Sequence, residues 1–229
     1  MFVDGSGGGR PLGSLRVREE DFHHLSKVLR LRLGEQVTAS DGAGSWIVCR
    51  WKGLRELEPA GPRAHEAAPS PPLTVAFALT KGSHPEWAVQ KLTEVGVDRV
   101  VLFTSARCVA RWSPESAPRR LARLREVARQ AAMQSRRVWL PVVEGPFSFS
   151  DVVAAGGAGV ALAVPGGEPP CLETPTVLVG PEGGWADHEL EAVAAHVSCG
   201  PLVLRSETAA LAAGVILVAL RCGLVGRPE

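Results

Sequence analysis

Residues 177–184 read Val-Leu-Val-Gly-Pro-Glu-Gly-Gly. A short apolar run of this kind suits a strand buried on both faces, as strands of parallel sheets are. It empties into a loop whose glycines let the backbone approach a ligand closely or take a positive φ. In an open α/β sheet, ligands bind at the carboxyl ends of strands. A plain turn would look the same in isolation. The second telling stretch is 199–209, Cys-Gly-Pro-Leu-Val-Leu-Arg-Ser-Glu-Thr-Ala. It predicts a strand over 201–204 that delivers Arg205, Ser206, Glu207 and Thr208 to the start of a very apolar helix over 206–222. Ser206 or Thr208 suits a helix cap, and Glu207 suits the first turn. Arg205 does not, because the helix dipole there favours an anion; a ligand or a paired acid would explain it.

Around these stretches, strand signals alternate with helical spacing. Strands are expected at 73–79, 99–103, 138–143, 159–164 and 176–179, and a helix at 187–196. A helix over 85–95 places Trp87, Leu92 and Val95 on one face and stops at Gly96. A longer one over 118–137 spaces Leu121, Leu124, Ala128 and Ala131 on one face. This alternation implies an α/β domain with a mostly parallel sheet covered on both faces, over 73–229. Upstream the pattern is β-rich. A short strand at 15–17 precedes a helix capped by Asp21, with Phe22, Leu25, Val28 and Leu29 on one face, ended by Gly34. Strands at 36–40 and 45–51 join through Asp41-Gly42-Ala43-Gly44, a hairpin signal, and 55–58 extends the sheet. Residues 59–72 hold five prolines without periodicity and read as a linker, so the first domain spans 1–70.

Composition removes several classes. At 45% hydrophobic residues and a net charge of +1, the chain buries a core and is not a disordered protein. The longest apolar run, 211–220, is half of a membrane span. Residues 1–10 lack the apolar centre of a secretory signal. The cysteines, at 49, 108, 171, 199 and 222, are odd in number and form no C-x-x-C pair. That argues against a disulfide scaffold or a zinc site and for a reducing cytoplasm. His23, His24 and His188 lack metal-ligand spacing. No P-loop or G-x-S-x-G motif occurs, and the glycine-rich 5–9 does not join a strand to a helix. Charge is divided: 1–149 carries 22 Lys and Arg against 15 Asp and Glu, whereas 150–229 carries 3 against 9. Residues 99–137 alone hold ten arginines. Solvated helix faces account for some of this, and a face that meets a polyanion accounts for the separation.

The two stretches together resemble the RsmE-type methyltransferases of the SPOUT superfamily. Phe2-Val3, the run His24-Leu25-Ser26-Lys27-Val28-Leu29-Arg30-Leu31 and Asp41-Gly42 resemble that family's N-terminal PUA-like barrel. Lys81-Gly82, Gln90-Lys91, Glu94-Val95-Gly96-Val97, Arg107 and Gln134-Ser135 resemble its catalytic domain. The resemblance implies a C-terminal trefoil knot, S-adenosylmethionine as methyl donor, and transfer to N3 of a uridine in 16S ribosomal RNA. It also implies a homodimer with RNA bound across both subunits, no metal and no membrane. Carried onto this chain, the donor would sit among Ala163, Val164 and Pro165; Val179, Gly180, Pro181, Gly183 and Gly184; and Cys199, Gly200, Leu204, Ser206, Thr208 and Ala209. Arg205 would stabilise developing charge, and Glu182 or Glu207 would accept the N3 proton. His24, Lys27, Arg30, Arg32, Lys81 and Arg107 would contact RNA. The chain departs from the family at Met133, where a glutamate is usual, at Ala106, where an acid usually precedes Arg107, and at Leu202, where an arginine usually follows Gly-Pro. Two other readings remain at this point: a SPOUT enzyme acting on transfer RNA or a ribose hydroxyl, and a non-catalytic RNA-binding protein on the same fold.

Overall fold

A computed structural model of the chain describes residues 1–3, 15–28 and 30–226; the glycine-rich 5–9, Leu29 and the side chain of His24 lie outside the described set. The chain forms two units, Met1–Ala68 with Ala132–Leu140, and Pro69–Ala131 with Pro141–Glu229.

The first unit is an antiparallel sheet of β1 (Leu15–Arg16), β2 (Gln36–Ser40), β3 (Ser45–Gly53) and β4 (Glu56–His65), ordered β1-β4-β3-β2. Its core is Val17, Leu25, Ala39, Ile47, Cys49, Trp51 and Leu57. The Asp41 hairpin forms as expected between β2 and β3. Asp41 Oδ1 accepts from the N–H groups of Ala43 (2.8 Å) and Ser45 (3.0 Å), and Oδ2 accepts from Arg63 (3.0 Å). Burial opposes ionisation of this carboxyl, but those hydrogen bonds and the Arg63 charge outweigh it and hold it below the usual range. Gly44, at φ +87, admits no Cβ: the atom would lie 2.5 Å from the Glu66 carbonyl oxygen.

Three expectations for this region are corrected. Asp21 is not a cap. Helix α1 (Glu19–His23) starts two residues after the buried Val17, the Phe22 N–H donating to the Arg18 carbonyl, and so encloses Asp21, which is 3% exposed. A π-helical turn, His24–Val28, follows. The proline-rich stretch is not all linker, since β4 continues through Pro59 and Pro62 to His65. Among the described residues β4 pairs with β1 only at Glu56 and Leu57, and its further course runs along β3. Residues 138–140 belong to the first unit, where Trp139 bridges Ala43 and its Nε1 donates to the Glu66 carbonyl (3.0 Å). The strand expected at 138–143 therefore begins only at Val142.

The second unit holds β5 (Thr74–Ala78), α2 (His84–Val95), β6 (Arg99–Thr104), α3 (Ala117–Gln134), β7 (Val142–Ser148) and α4 (Phe149–Gly156). It continues with β8 (Val160–Glu168), β9 (Thr176–Val179), α5 (Asp187–Glu191), β10 (Ala195–Val197) and α6 (Ser206–Arg221). Its six strands, ordered β10-β8-β9-β5-β6-β7, are all parallel. Successive side chains point to opposite faces. Val75, Phe77 and Val177 join Val89, Leu92, Leu124 and Leu217 in one core; Ala76, Phe103, Leu162 and Leu178 join Val152 and Trp185 in the other.

Here too the outcome differs at particular elements. Trp87 is 40% exposed, because α2 buries Pro85, Ala88, Val89 and Leu92, the i, i+3, i+4, i+7 stripe that Trp87 misses. Residues 201–204 are irregular. The helix expected over 187–196 forms only as α5, Asp187–Glu191, and the last strand, β10, takes Ala195 and His196; pairing with β8 and burial of Val193 and Val197 prevail over helical spacing there. Helix α4 was not anticipated, although its signal is present. Ser148 Oγ accepts from the Asp151 N–H (3.1 Å) and the Asp151 carboxylate accepts from the Ser148 N–H (3.3 Å), a capping box. Among the described residues no helix is long and apolar enough to cross a membrane.

Candidate active site

Three segments of the second unit converge on a cavity of about 390 Å³. From β8 come Ala163, Val164 and Pro165. From β9 and the loop after it come Val179, Gly180, Pro181, Glu182, Gly184 and Trp185. From the connection between β10 and α6 come Ser198, Cys199, Gly200, Leu202, Val203, Leu204, Arg205 and Ser206, with Ala209 of α6. The segments after β9 and β10 leave the sheet at the carboxyl ends of their strands, and Ala163–Pro165 lie within β8 where Ala163 pairs with the last residue of β9, so the cavity sits where an open parallel sheet offers a crevice.

Hydrogen bonds hold these segments to one another. Trp185 Nε1 donates to the Ala163 carbonyl (3.0 Å), and its ring stacks on Phe103 with centroids 6.0 Å apart. Ser206 Oγ donates to the Gly180 carbonyl (3.1 Å), so its hydroxyl ties two loops together and does not cap α6. Position 180 has no room for a side chain, since a Cβ would lie 2.9 Å from the Trp185 ring. Glu189, 1% exposed, accepts from Ser105 Oγ (3.1 Å) and from the N–H groups of Ala106 and Ala186 (both 2.9 Å). That carboxylate fastens the loop after β6 to the loop after β9. It is bonded through the backbone of residue 106, so an alanine side chain there costs the contact nothing.

Of the residues singled out in the sequence for donor binding and catalysis, most meet at the cavity and three, Gly183, Glu207 and Thr208, do not. Thr208 is exposed off the lining, and the Gly183 carbonyl lies 3.5 Å from an Arg107 Nη. Glu207 pairs through Oε1 with His84 Nδ1 (3.1 Å). Arg205 is the N-cap residue of α6, and its exposed side chain has no partner among the described residues. Glu182 is exposed on the lining. Burial pushes the Cys199 thiol up, so at neutral pH it stays protonated and serves as a small apolar wall. Lys81 is exposed in the loop after β5; Lys27, Arg30 and Arg32 are exposed in the first unit. Trp185, Ser198, Val203 and Glu189 escaped the sequence reading. Trp185 alone carried a signal, an aromatic directly after the glycine loop. Among the described residues no cluster of His, Cys, Asp and Glu is arranged to hold a metal ion.

Similarity to known proteins follows the same lines. A family model described as an RNA methyltransferase domain matches residues 67–218, and one described as an RNA methyltransferase PUA domain matches residues 17–53. Ribosomal RNA small subunit methyltransferase E of Mycobacterium bovis is 37% identical over 217 residues, which cover 86% of this chain and 83% of that protein. The protein of the same name from Bacillus subtilis is 27% identical over 220 residues, 85% of this chain and 86% of its own. The structure of ribosomal RNA small subunit methyltransferase E from Neisseria gonorrhoeae, bound to S-adenosyl methionine, matches with a TM-score of 0.81 at 25% identity over 96% of both chains. With one family model spanning most of its length and a relative of this identity and coverage, the chain belongs to the ribosomal RNA small subunit methyltransferase E family.

Proposed function

We propose that the chain transfers a methyl group from S-adenosylmethionine to N3 of a specific uridine in 16S ribosomal RNA or the small-subunit particle, as a cytoplasmic homodimer. The observation that carries this reading is the convergence of part of β8 and the segments after β9 and β10 on one cavity, with Arg205 left unpaired among the described residues at its lining. The cavity suits the donor. Its volume is that of a small-molecule site, its walls are largely apolar, and backbone groups of the glycine loop supply polar contacts.

When bound, S-adenosylmethionine supplies a methyl group already activated by its sulfonium. The uracil N3 holds a proton, and the chain must deal with it. Arg205 stabilises negative charge that develops on the ring carbonyls, worth about 3 kcal/mol for one well-placed donor. Glu182 accepts the N3 proton once the base lies within hydrogen-bond reach. Glu207 is held by His84, and we assign it no proton transfer. The Ser206–Gly180 hydrogen bond and Glu189 keep the loops in place, which lowers the barrier through positioning.

The target base must be unpaired or turned out of a helix to expose N3. Lys27, Arg30 and Arg32, with Lys81 and Arg107, contribute phosphate contacts that orient the RNA. We also read the C-terminal segment as the family's trefoil knot. In support, β10 lies beyond β8 in the sheet while α6 returns to pack on β5 and β9. The exposed apolar Leu202, Val203 and Val215 support a dimer contact near the cavity.

Nucleoside mass spectrometry of 16S ribosomal RNA from a strain lacking the protein tests the reaction. The expected result is loss of one N3-methyluridine, restored by adding the purified protein and donor. Loss of a 2′-O-methyl nucleoside instead would overturn the assignment. Calorimetry should show donor binding, which a purely RNA-binding protein would lack.

A further inference from the structure

A second cavity of the second unit, about 440 Å³, lies outside the donor site. Its walls include Gly82, Glu86 and Trp112, and Arg119, Arg120 and Arg123 from the exposed face of α3. Among the described residues none of these three guanidinium groups has a carboxylate at ion-pair distance, and Glu86 is the one acid in the lining. Arg120 lies over the Trp112 ring, 5.6 Å from its centroid, and Trp112 packs half-buried against the main core. A solvated helix face would account for the arginines. It does not account for an indole fixed beside them at the rim of a cavity. Arginines with a rigid aromatic form the platform on which single-stranded nucleic acid binds, base on ring and phosphate on cation.

The position fits such a strand. Gly82 lies in the loop leading into α2, whose first residue, His84, pairs with Glu207. Glu207 follows Ser206, which lines the donor cavity. The His84–Glu207 contact thus joins the element beside one cavity to the element beside the other.

We infer that this pocket takes one nucleotide of the single-stranded RNA flanking the target uridine, its base against Trp112 and its phosphate on Arg119 and Arg123. The inference rests on the methyltransferase reading above for the identity of the RNA.

The test uses the full chain and a 16S ribosomal RNA transcript, with binding read by anisotropy and methyl transfer read in steady state. R119E/R123E is expected to raise KM for RNA about tenfold while kcat and donor affinity stay within twofold. R119A/R123A should flatten the slope of log affinity against log salt by about 1.4, the loss of two phosphate contacts to a single strand. Trp112→Leu should weaken binding without changing that slope. All variants are checked by melting temperature and donor calorimetry. Unchanged RNA affinity and slope in the folded arginine variants would overturn the inference. A wild-type chain that binds the transcript in an Arg119- and Arg123-dependent way yet methylates nothing would overturn the proposed reaction and leave the pocket standing.

Discussion

Along β3 of the first unit, burial alternates: Cys49 and Trp51 are buried while Arg50 and Lys52 face water. Along β5 of the second unit, five successive residues from Thr74 to Ala78 are all buried. The antiparallel sheet keeps one side for solvent, so it can carry charge over a broad face. The parallel sheet has no free side. Its chemistry is confined to the loops at its strand ends, where backbone groups and a few polar side chains escape the core. A confined site at strand ends is therefore what a sheet covered on both faces leaves available for the proposed catalysis.

That contrast makes graded predictions. The largest effect belongs to the doubly covered sheet. Leu178→Ala in β9, fully buried, should destabilise the second unit by roughly 3–5 kcal/mol, whereas Arg50→Ala on the wet face of β3 should change stability by about 0.5 kcal/mol or less. Denaturant titration of both variants measures the difference, and similar costs would erase the distinction. Next, Arg205→Ala should lower kcat by about 10²–10³ with donor affinity and melting temperature unchanged. Full methyl transfer by that variant would remove Arg205 from the mechanism.

A smaller effect lies in the first unit's hairpin. Asp41→Asn should cost about 1–2 kcal/mol, since two backbone N–H groups and Arg63 lose an anionic acceptor. The folded state holds this carboxyl below its ordinary value of 3.8. Its contribution is therefore complete above that value and disappears as pH falls through the lower folded value. Acid titration should show the wild type losing its advantage over Asp41→Asn in that window. The smallest effect is Lys27→Ala with Arg32→Ala. RNA affinity should fall less than tenfold at physiological salt, with a shallower salt dependence and an unaltered kcat. A loss of kcat would place chemistry where only phosphate contacts are expected.

Local chemistry explains why some elements were legible. Asp41 accepts from N–H donors two and four residues ahead, so the hairpin is written in adjacent letters. The 176–179 strand and its glycine loop are likewise contiguous, and they lead to the cavity as expected. Legibility fails where a distant partner competes with local preference. Residues 187–196 carry helical spacing, yet β8 captures 195–197 as a strand. Glu189 looks like an ordinary helical glutamate, and its work is done on Ser105 and Ala106, more than 80 residues earlier in the chain.

Alternation, apolar runs, turn residues and the two late motifs are properties of neighbouring letters, and they established the fold class, the family resemblance and the loops of the cavity. The assignment of 132–140 to the first unit, the capture of Glu207 by His84 and the pocket under Arg119 and Arg123 depend on groups far apart in the chain. Folding brings those groups together through burial and hydrogen bonding of the whole molecule, and no local pattern encodes that contact.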